Sequence, residues 1–224
     1  MVLREPAPDA RVLRIMNAPD PRFDVTTLAD LEPLFDAPKE ASIVKVLDHL
    51  DDNYRALIAA SPFFVLATAG TTALDCSPRG DPAGFVEIVD DRTLVIPDRR
   101  GNNRIDSLRN LMVDPRVALL FLIPGMGETL RVNGRARVNR DPAALSRFAV
   151  SGRAPKLVLV ISIEAVYFQC SRAIVRSDLW NPGKHVSLSS LPSAGKILGD
   201  ISAGRIDGEA YDRELPGRVQ STLY

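Results

Sequence analysis

From residue 63 onward the chain alternates short apolar runs with polar turns. Phe63, Phe64, Val65, Leu66, Ala67, Thr68 and Ala69 make a run rich in aromatic and β-branched residues that ends at Gly70, which predicts a strand. Similar runs at 73–77, 84–89, 93–96, 116–123, 129–138 and 157–168 predict further strands, the last broken near Glu164. In 129–138 the alternation is strict. Leu130, Val132, Gly134, Ala136 and Val138 share one parity and Thr129, Arg131, Asn133, Arg135 and Arg137 the other, so one face is core and the other polar. Asp90-Asp91 and Pro124-Gly125-Met126-Gly127 read as hairpin turns, and such short joints favour antiparallel neighbours. Hairpins in series, with few helices between them, predict a small closed barrel.

Helical spacing appears elsewhere. Ile43, Val44, Leu47, Leu50, Tyr54, Leu57 and Ile58 predict one amphipathic helix over 39–60. Asn102 or Asn103 is placed to cap a helix through Ile105, Leu108, Leu111 and Met112, which Pro115 ends after Asp114. Asp141 and Pro142 open another through Leu145, Phe148 and Val150. Residues 1–38, rich in proline and acidic side chains, read as an extended arm with one short helix near 27–34, wrapping the surface or a partner subunit. Residues 195–224 read as a short amphipathic tail, with Ile197, Leu198, Ile201, Ile206 and Tyr211 suited to packing on a neighbour. The expected organisation is an arm over 1–38, a main domain over 39–182 and an extension over 183–224.

With 224 residues, 46% hydrophobic and 25% charged, the chain can bury one substantial core. Lys+Arg and Asp+Glu both total 28, so no net charge draws the molecule to nucleic acid or an anionic membrane, and a basic site must be local. Cys76, Cys170, His49 and His185 are too few and too scattered for a zinc set, so neither a metal nor a disulfide is expected. His49, beside Asp48 and Asp51, reads as an exposed polar position. Residues 1–21 lack an apolar run of signal-peptide length and no segment has bilayer length, which makes the cytoplasm the expected location, without a membrane partner. Ser61 and Ser77 have no nearby histidine, and Gly125-Met126-Gly127 lacks the third glycine of a dinucleotide turn, so neither hydrolysis nor that cofactor motif is supported.

The strongest chemical signal is Pro97-Asp98-Arg99-Arg100-Gly101-Asn102-Asn103-Arg104, between a strand and a helix start. Guanidinium groups, a flexible glycine and free N–H groups at a helix start are what a phosphate requires. A solvated turn explains the same residues, as a solvated face explains Arg131, Arg135 and Arg137.

Four ordered blocks carry a family resemblance: Cys76-Ser77-Pro78-Arg79-Gly80-Asp81-Pro82-Ala83-Gly84-Phe85-Val86, Leu94 through the basic turn to Arg104, Gly127-Glu128-Thr129-Leu130-Arg131-Val132-Asn133-Gly134, and Arg176-Ser177-Asp178-Leu179-Trp180-Asn181-Pro182. Over 39–182 the chain resembles the pyridoxamine 5'-phosphate oxidase-like, FMN-binding split-barrel proteins, in particular a bacterial subfamily of FMN-dependent enzymes. The resemblance implies a mainly β fold with added helices: a six-stranded antiparallel split β-barrel, homodimeric, with FMN in a groove at the subunit interface. It implies phosphate contacts from Asn102, Asn103 and Arg104, contacts to the ring or ribityl chain from Ile96, Pro97 and Asp98, and a ring-side segment Arg79, Gly80 and Asp81. Thr129 and Arg131 match cofactor-facing positions, and Arg172, Arg176 and Trp180 match a helix that the other subunit contributes. Trp180 also suits a core or interface anchor, and Arg176 an ion pair with Asp178. Pro97-Asp98 departs from the tyrosine and threonine of the oxidases, and their C-terminal Arg-x-His block is missing, which points away from vitamin B6 oxidation. The implied function is an FMN-dependent oxidoreductase passing hydride between flavin and a nicotinamide or small organic substrate. The alternative is a non-catalytic protein that binds FMN, haem or the deazaflavin F420 on the same fold. No catalytic side chain is assigned, because flavin itself carries the electrons.

Overall fold

A computed structural model describes residues 18–224, so the first part of the expected arm, 1–17, lies outside the described residues. The chain divides into two units, Met1–Ile43 and Val44–Tyr224. In the first, a 3-10 turn at Pro21–Phe23 is capped by Asp20, and helix α1 (Leu28–Leu31) by Thr27, whose hydroxyl accepts from the Asp30 N–H at 3.2 Å. The expected helix over 27–34 stays α for a single turn, then tightens to 3-10 at Glu32–Leu34, because Pro33 has no N–H to continue the ladder. Helix α2 spans Glu40–Val44. None of these elements buries a side chain; Phe23 is 82% and Phe35 72% exposed.

In the second unit the expected 39–60 helix resumes only at α3 (Asp52–Ala60), where the Asp51 carboxylate caps the Tyr54 N–H at 2.8 Å. The residues before it are extended: Leu47 exchanges two backbone hydrogen bonds with Val166, at 3.0 and 2.8 Å, and Tyr54 donates its hydroxyl proton to the Lys45 carbonyl at 2.6 Å. A strand edge with open hydrogen-bonding groups outcompetes a helical turn there, since Leu47 and Leu50 can be buried either way.

The strands are β1 (Phe63–Ala69), β2 (Leu74–Gly80), β3 (Glu87–Ile88), β4 (Thr93–Pro97), β5 (Arg116–Leu122), β6 (Thr129–Asn139) and β7 (Val158–Gln169). They form one antiparallel sheet in the order β2-β1-β5-β6-β7-β4-β3. The expectation of a closed six-stranded barrel is thus corrected: the sheet has seven strands and stays open between β2 and β3. The cause lies in the connection between those strands. Phe85 and Val86 turn into the core, with the Phe85 ring stacked on Phe64 at 5.7 Å, Pro82 lacks an N–H, and Gly84 takes φ +88°. Only Glu87 and Ile88 of the expected 84–89 strand remain to pair with β4.

The sheet curls around a core of Phe64, Leu66, Phe121, Leu130, Val132 and Ile161. β6 alternates as its sequence requires, with Leu130, Val132, Gly134 and Ala136 buried and Arg135 and Arg137 exposed. β7 is continuous, but its register passes from Ala165 opposite Asn133 to Ile163 opposite Gly134, leaving Glu164 as an extra residue, a bulge where the break was expected. Helix α4 (Asp106–Leu111) lies against the core face of β1 and β2, with Asn110 Nδ2 donating to Thr68 Oγ1 at 3.1 Å. Helix α5 (Pro142–Arg147), capped by Asp141 as expected, covers the outer face of β4 and β7: Ala144, Leu145 and Phe148 pack with Val95, Val158 and Val160. It stops short of Val150, which instead pairs with Arg153. Helix α6 (Arg172–Ser177) follows β7, and the expected tail is two helices, α7 (Ala194–Ile201) and α8 (Gly208–Thr222). Among the described residues no helix is long and apolar enough to cross a membrane.

A Cβ on Gly134 would stand 2.1 Å from the Ser162 carbonyl oxygen and 3.3 Å from Ile163 Cα, so no side chain fits beside the bulge. Gly134→Ala is therefore expected to cost about 3 kcal/mol of stability, the upper end for an overpacked core, read as a lower denaturant midpoint. An unchanged midpoint would mean that β7 yields without cost.

Candidate functional site

At the β2 edge, Asp75, Ser77 and Arg79 stand opposite Thr68, Leu66 and Phe64, which puts them on the core face, beneath α4. There they form a polar network. Ser107, in the first turn of α4, donates to Asp75 Oδ2 at 2.5 Å, and Ser77 donates to the same carboxylate at 3.0 Å. Arg79 donates from Nη2 to Ser107 Oγ at 3.1 Å and from Nη1 to its neighbour's carbonyl, Pro78 O, at 2.9 Å. Its guanidinium is thus held half-buried at the end of β2. Gly80 is exposed, with room for a Cβ limited by Pro62 O at 3.3 Å. Asp81 is 3% exposed at its side chain, and both oxygens are engaged: Oδ2 accepts from Arg99 Nε and Oδ1 from the Tyr224 hydroxyl, each at 2.6 Å.

β4 leads into the basic turn. Ile96 points into the core at 2% exposure, and Pro97 is buried on the opposite face. Asp98 is pinned by its N–H to the Leu157 carbonyl at 3.1 Å. Burial pushes the Asp98 carboxyl above its usual range, against the opposing pull of Arg79 and Lys156. Residues 101–104 are exposed. Asn103 and Ile105 both adopt left-handed backbone, at φ 60° and 55°, which for a β-branched isoleucine stores roughly 1–3 kcal/mol of strain. These two residues also correct the expected cap. Asn102 Oδ1 accepts from the Arg104 N–H at 3.0 Å, a local turn, while the helix starts after Ile105 with no side-chain cap. Arg104 is 74% exposed and donates from Nε to Asp106 Oδ2 at 2.7 Å.

The other expected residues gather at the β5–β6 turn. Thr129 stands opposite Gln169 and Arg131 opposite Tyr167 on the outer face. Arg131 donates to the Tyr167 hydroxyl at 3.2 Å and, with the Gln169 amide oxygen turned toward it, from Nε and Nη2 at 3.1 and 3.0 Å. Arg172 and Arg176 are exposed on α6. Arg176 makes no ion pair among the described residues; Asp178 instead accepts from Asn181 Nδ2 at 2.8 Å. Trp180 donates from Nε1 to the Met126 carbonyl at 2.7 Å, anchoring the segment after α6 to this turn. A pocket of about 600 Å³ opens beside it, lined in part by Lys45, Tyr54, Met126, Glu128 and Phe168, with Lys45 Nζ 4.7 Å from the Phe168 ring centre.

Within one chain the two groups do not meet. β2 and β6 are separated by β1 and β5, about 14 Å at the ordinary strand spacing. Sequence reasoning also passed over several residues that the geometry brings forward. Asp75 and Ser77 share the parity of Arg79 and were legible in that alternation. Arg99 lay inside the basic turn but looked no different from Arg100, and nothing local marks Tyr224.

Residues 50–170 match the sequence profile of the family described as pyridoxamine 5'-phosphate oxidase. No curated protein matches the chain. Among solved structures, HupZ of Group A Streptococcus is 19% identical, with 55% of this chain and 95% of that one covered and a TM-score of 0.45. General stress protein 26 of Bacillus anthracis is 17% identical over 51% of this chain and 88% of its own, with a TM-score of 0.39. An FMN-binding protein of Syntrophomonas wolfei is 14% identical over 57% and 90%, also at 0.39.

Asp98 keeps its proton to higher pH in the folded than in the unfolded chain. The stability this group contributes is therefore present at low pH and lost as pH rises from the ordinary carboxylate range through the raised folded value. Asp98→Asn is expected to raise the thermal midpoint at neutral pH and to leave it nearly unchanged at about pH 3, measured by calorimetry across that range. A midpoint lowered at both pH values would contradict the burial account.

Proposed function

Since the chain belongs to the pyridoxamine 5'-phosphate oxidase family, we propose that it binds FMN, with the phosphate on the turn between β4 and α4. The observation that carries this reading is the construction of that turn. An exposed guanidinium, two left-handed residues and an uncapped helix start sit within residues 103–106, one β2 edge away from the half-buried Arg79. Arg104, with Asn102 and Asn103, takes the phosphate; its present partner Asp106 is a surface contact that a dianion displaces at little cost. Arg79, oriented by Ser107, and the backbone at Gly80 border the ring, and Asp98 meets the ribityl chain.

The cofactor site is completed by a second copy of the chain, which contributes Thr129, Arg131, Arg172, Arg176 and Trp180. Two observations support a homodimer. The two groups stand apart within one chain, and the outer face of β1, β2 and β5 presents Val65, Ala67 and Leu120 half-exposed beside exposed Phe63 and Leu74. Residues 39–182 form the flavin-binding domain, and 183–224 an extension that packs on the barrel or on the partner subunit. FMN, when bound, supplies two-electron chemistry. The protein's part is to hold the phosphate, orient the ring and exclude water, so the activity that follows is hydride exchange with a small organic or nicotinamide substrate.

Purified protein titrated with FMN is expected to quench flavin fluorescence and to bind riboflavin, which lacks the phosphate, far more weakly. Arg104→Ala is expected to weaken FMN about 10- to 100-fold, the loss of one charge-assisted contact, while leaving riboflavin unchanged; a wild-type protein that takes up neither flavin defeats the reading. Leu120→Glu is expected to yield monomers in sedimentation and to abolish FMN binding with them, and a variant that stays dimeric would place the interface elsewhere.

A further inference from the structure

No strand ladder spans the opening between β2 and the β4–α4 turn, yet side chains cross it. Arg99, the second residue after β4, reaches three separate parts of the unit. Its Nε donates to Asp81 just beyond β2, its Nη1 donates to the Phe148 carbonyl after α5 at 2.6 Å, and its guanidinium carbon lies 5.3 Å from the Tyr224 ring centre. Tyr224, beyond α8, closes the set: its hydroxyl donates to the second Asp81 oxygen, and its main-chain oxygen accepts from Arg153 Nη1 at 3.1 Å. The Asp81 and Arg99 side chains are 3% and 18% exposed, so this pair is shielded from solvent in a way the Arg104–Asp106 contact is not. Among the described residues, the side-chain contacts of residues 100–104 are local, Asn102 to the Arg104 N–H and Arg104 to Asp106. Arg99 is therefore the side-chain anchor of the whole turn.

We propose that Asp81, Arg99 and Tyr224 are positioning residues, a clasp that fixes the pose of residues 98–104 against the end of β2. This rests on the FMN reading above: the clasp sets phosphate affinity through the shape of the turn, without touching the ligand. It also ties the spacing between Arg79 and Arg104 to a single ion pair, because Asp81 follows Arg79 by two residues and Arg99 precedes Arg104 by five. Asp81 cannot serve a ligand while it holds the clasp, since both its oxygens are taken. Tyr224 supplies a neutral donor to the Asp81 oxygen that Arg99 does not engage. Its phenol is correspondingly held above its ordinary titration range, chiefly by the bond to Asp81.

Two measurements on the full chain test the clasp. Hydrogen–deuterium exchange of residues 98–105 is read without FMN, and FMN affinity is read by titration. Tyr224→Phe keeps the ring and removes only the hydroxyl. It is expected to speed exchange of the turn and to weaken FMN by about three- to tenfold, the worth of one hydrogen bond, with exchange in β6 and β7 unchanged. Arg99→Gln is expected to do more, and the double variant no more than Arg99→Gln alone, because both act through Asp81. Unchanged exchange of the turn in both single variants overturns the proposal, as does a uniform rise across the unit, which marks a purely structural contact. Because exchange is read without flavin, a protein that fails to bind FMN sinks the functional reading and leaves this outcome standing on its own.

Discussion

The fold depends on one bend in the longest ladder. β6 and β7 pair over most of their length, and at Gly134 the Ser162 carbonyl comes closer than any side chain allows. Glu164 is squeezed out of register there, and the bulge divides the other edge of β7 into two stretches. Below it, Val158–Ser162 pairs with β4; above it, Val166 pairs with Leu47. A straight β7 would carry one neighbour along its whole edge and the sheet would lie flat. The bend instead curls the sheet round its core and brings the end of β4, with its basic turn, toward the free edge at β2.

Where the sequence spoke plainly, it did so through parity. β6 could be read residue by residue, because a strand with one buried face leaves a period of two that no helix imitates. The 39–60 segment misled for the converse reason: Leu47 and Leu50 sit at helical spacing, yet Leu47 pairs with β7, a strand more than a hundred residues away, and the Leu50 N–H donates to the Asp91 carbonyl. The asparagine cap failed on backbone geometry, since two left-handed residues after Asn102 shift the helix start to Asp106. The basic turn was legible as chemistry but not as architecture. Which of its arginines is buried depends on Asp81 and Tyr224, and no local pattern announces a contact spanning that much chain.

The same distinction sorts the charges. Among the described residues, three surface arginines are satisfied by an aspartate two positions away, in Asp20–Arg22, Arg104–Asp106 and Asp114–Arg116, the last holding the Asp114 carboxyl down to about 2. Such exposed pairs contribute little to stability and exchange partners readily. Arg79 and Arg99 differ in kind, because each is half-buried and held by groups from other elements. Within a chain of no net charge, these two guanidinium groups have their orientation set by packing rather than by a neighbouring aspartate in sequence.

An open sheet has two free edges, and both here are blunt. β3 is only two residues long, and β2 carries Pro78, which offers no N–H to an approaching strand. Strand-by-strand growth into fibrils is therefore blocked at each rim, even though the outer face of β1 and β5 leaves apolar side chains half-exposed.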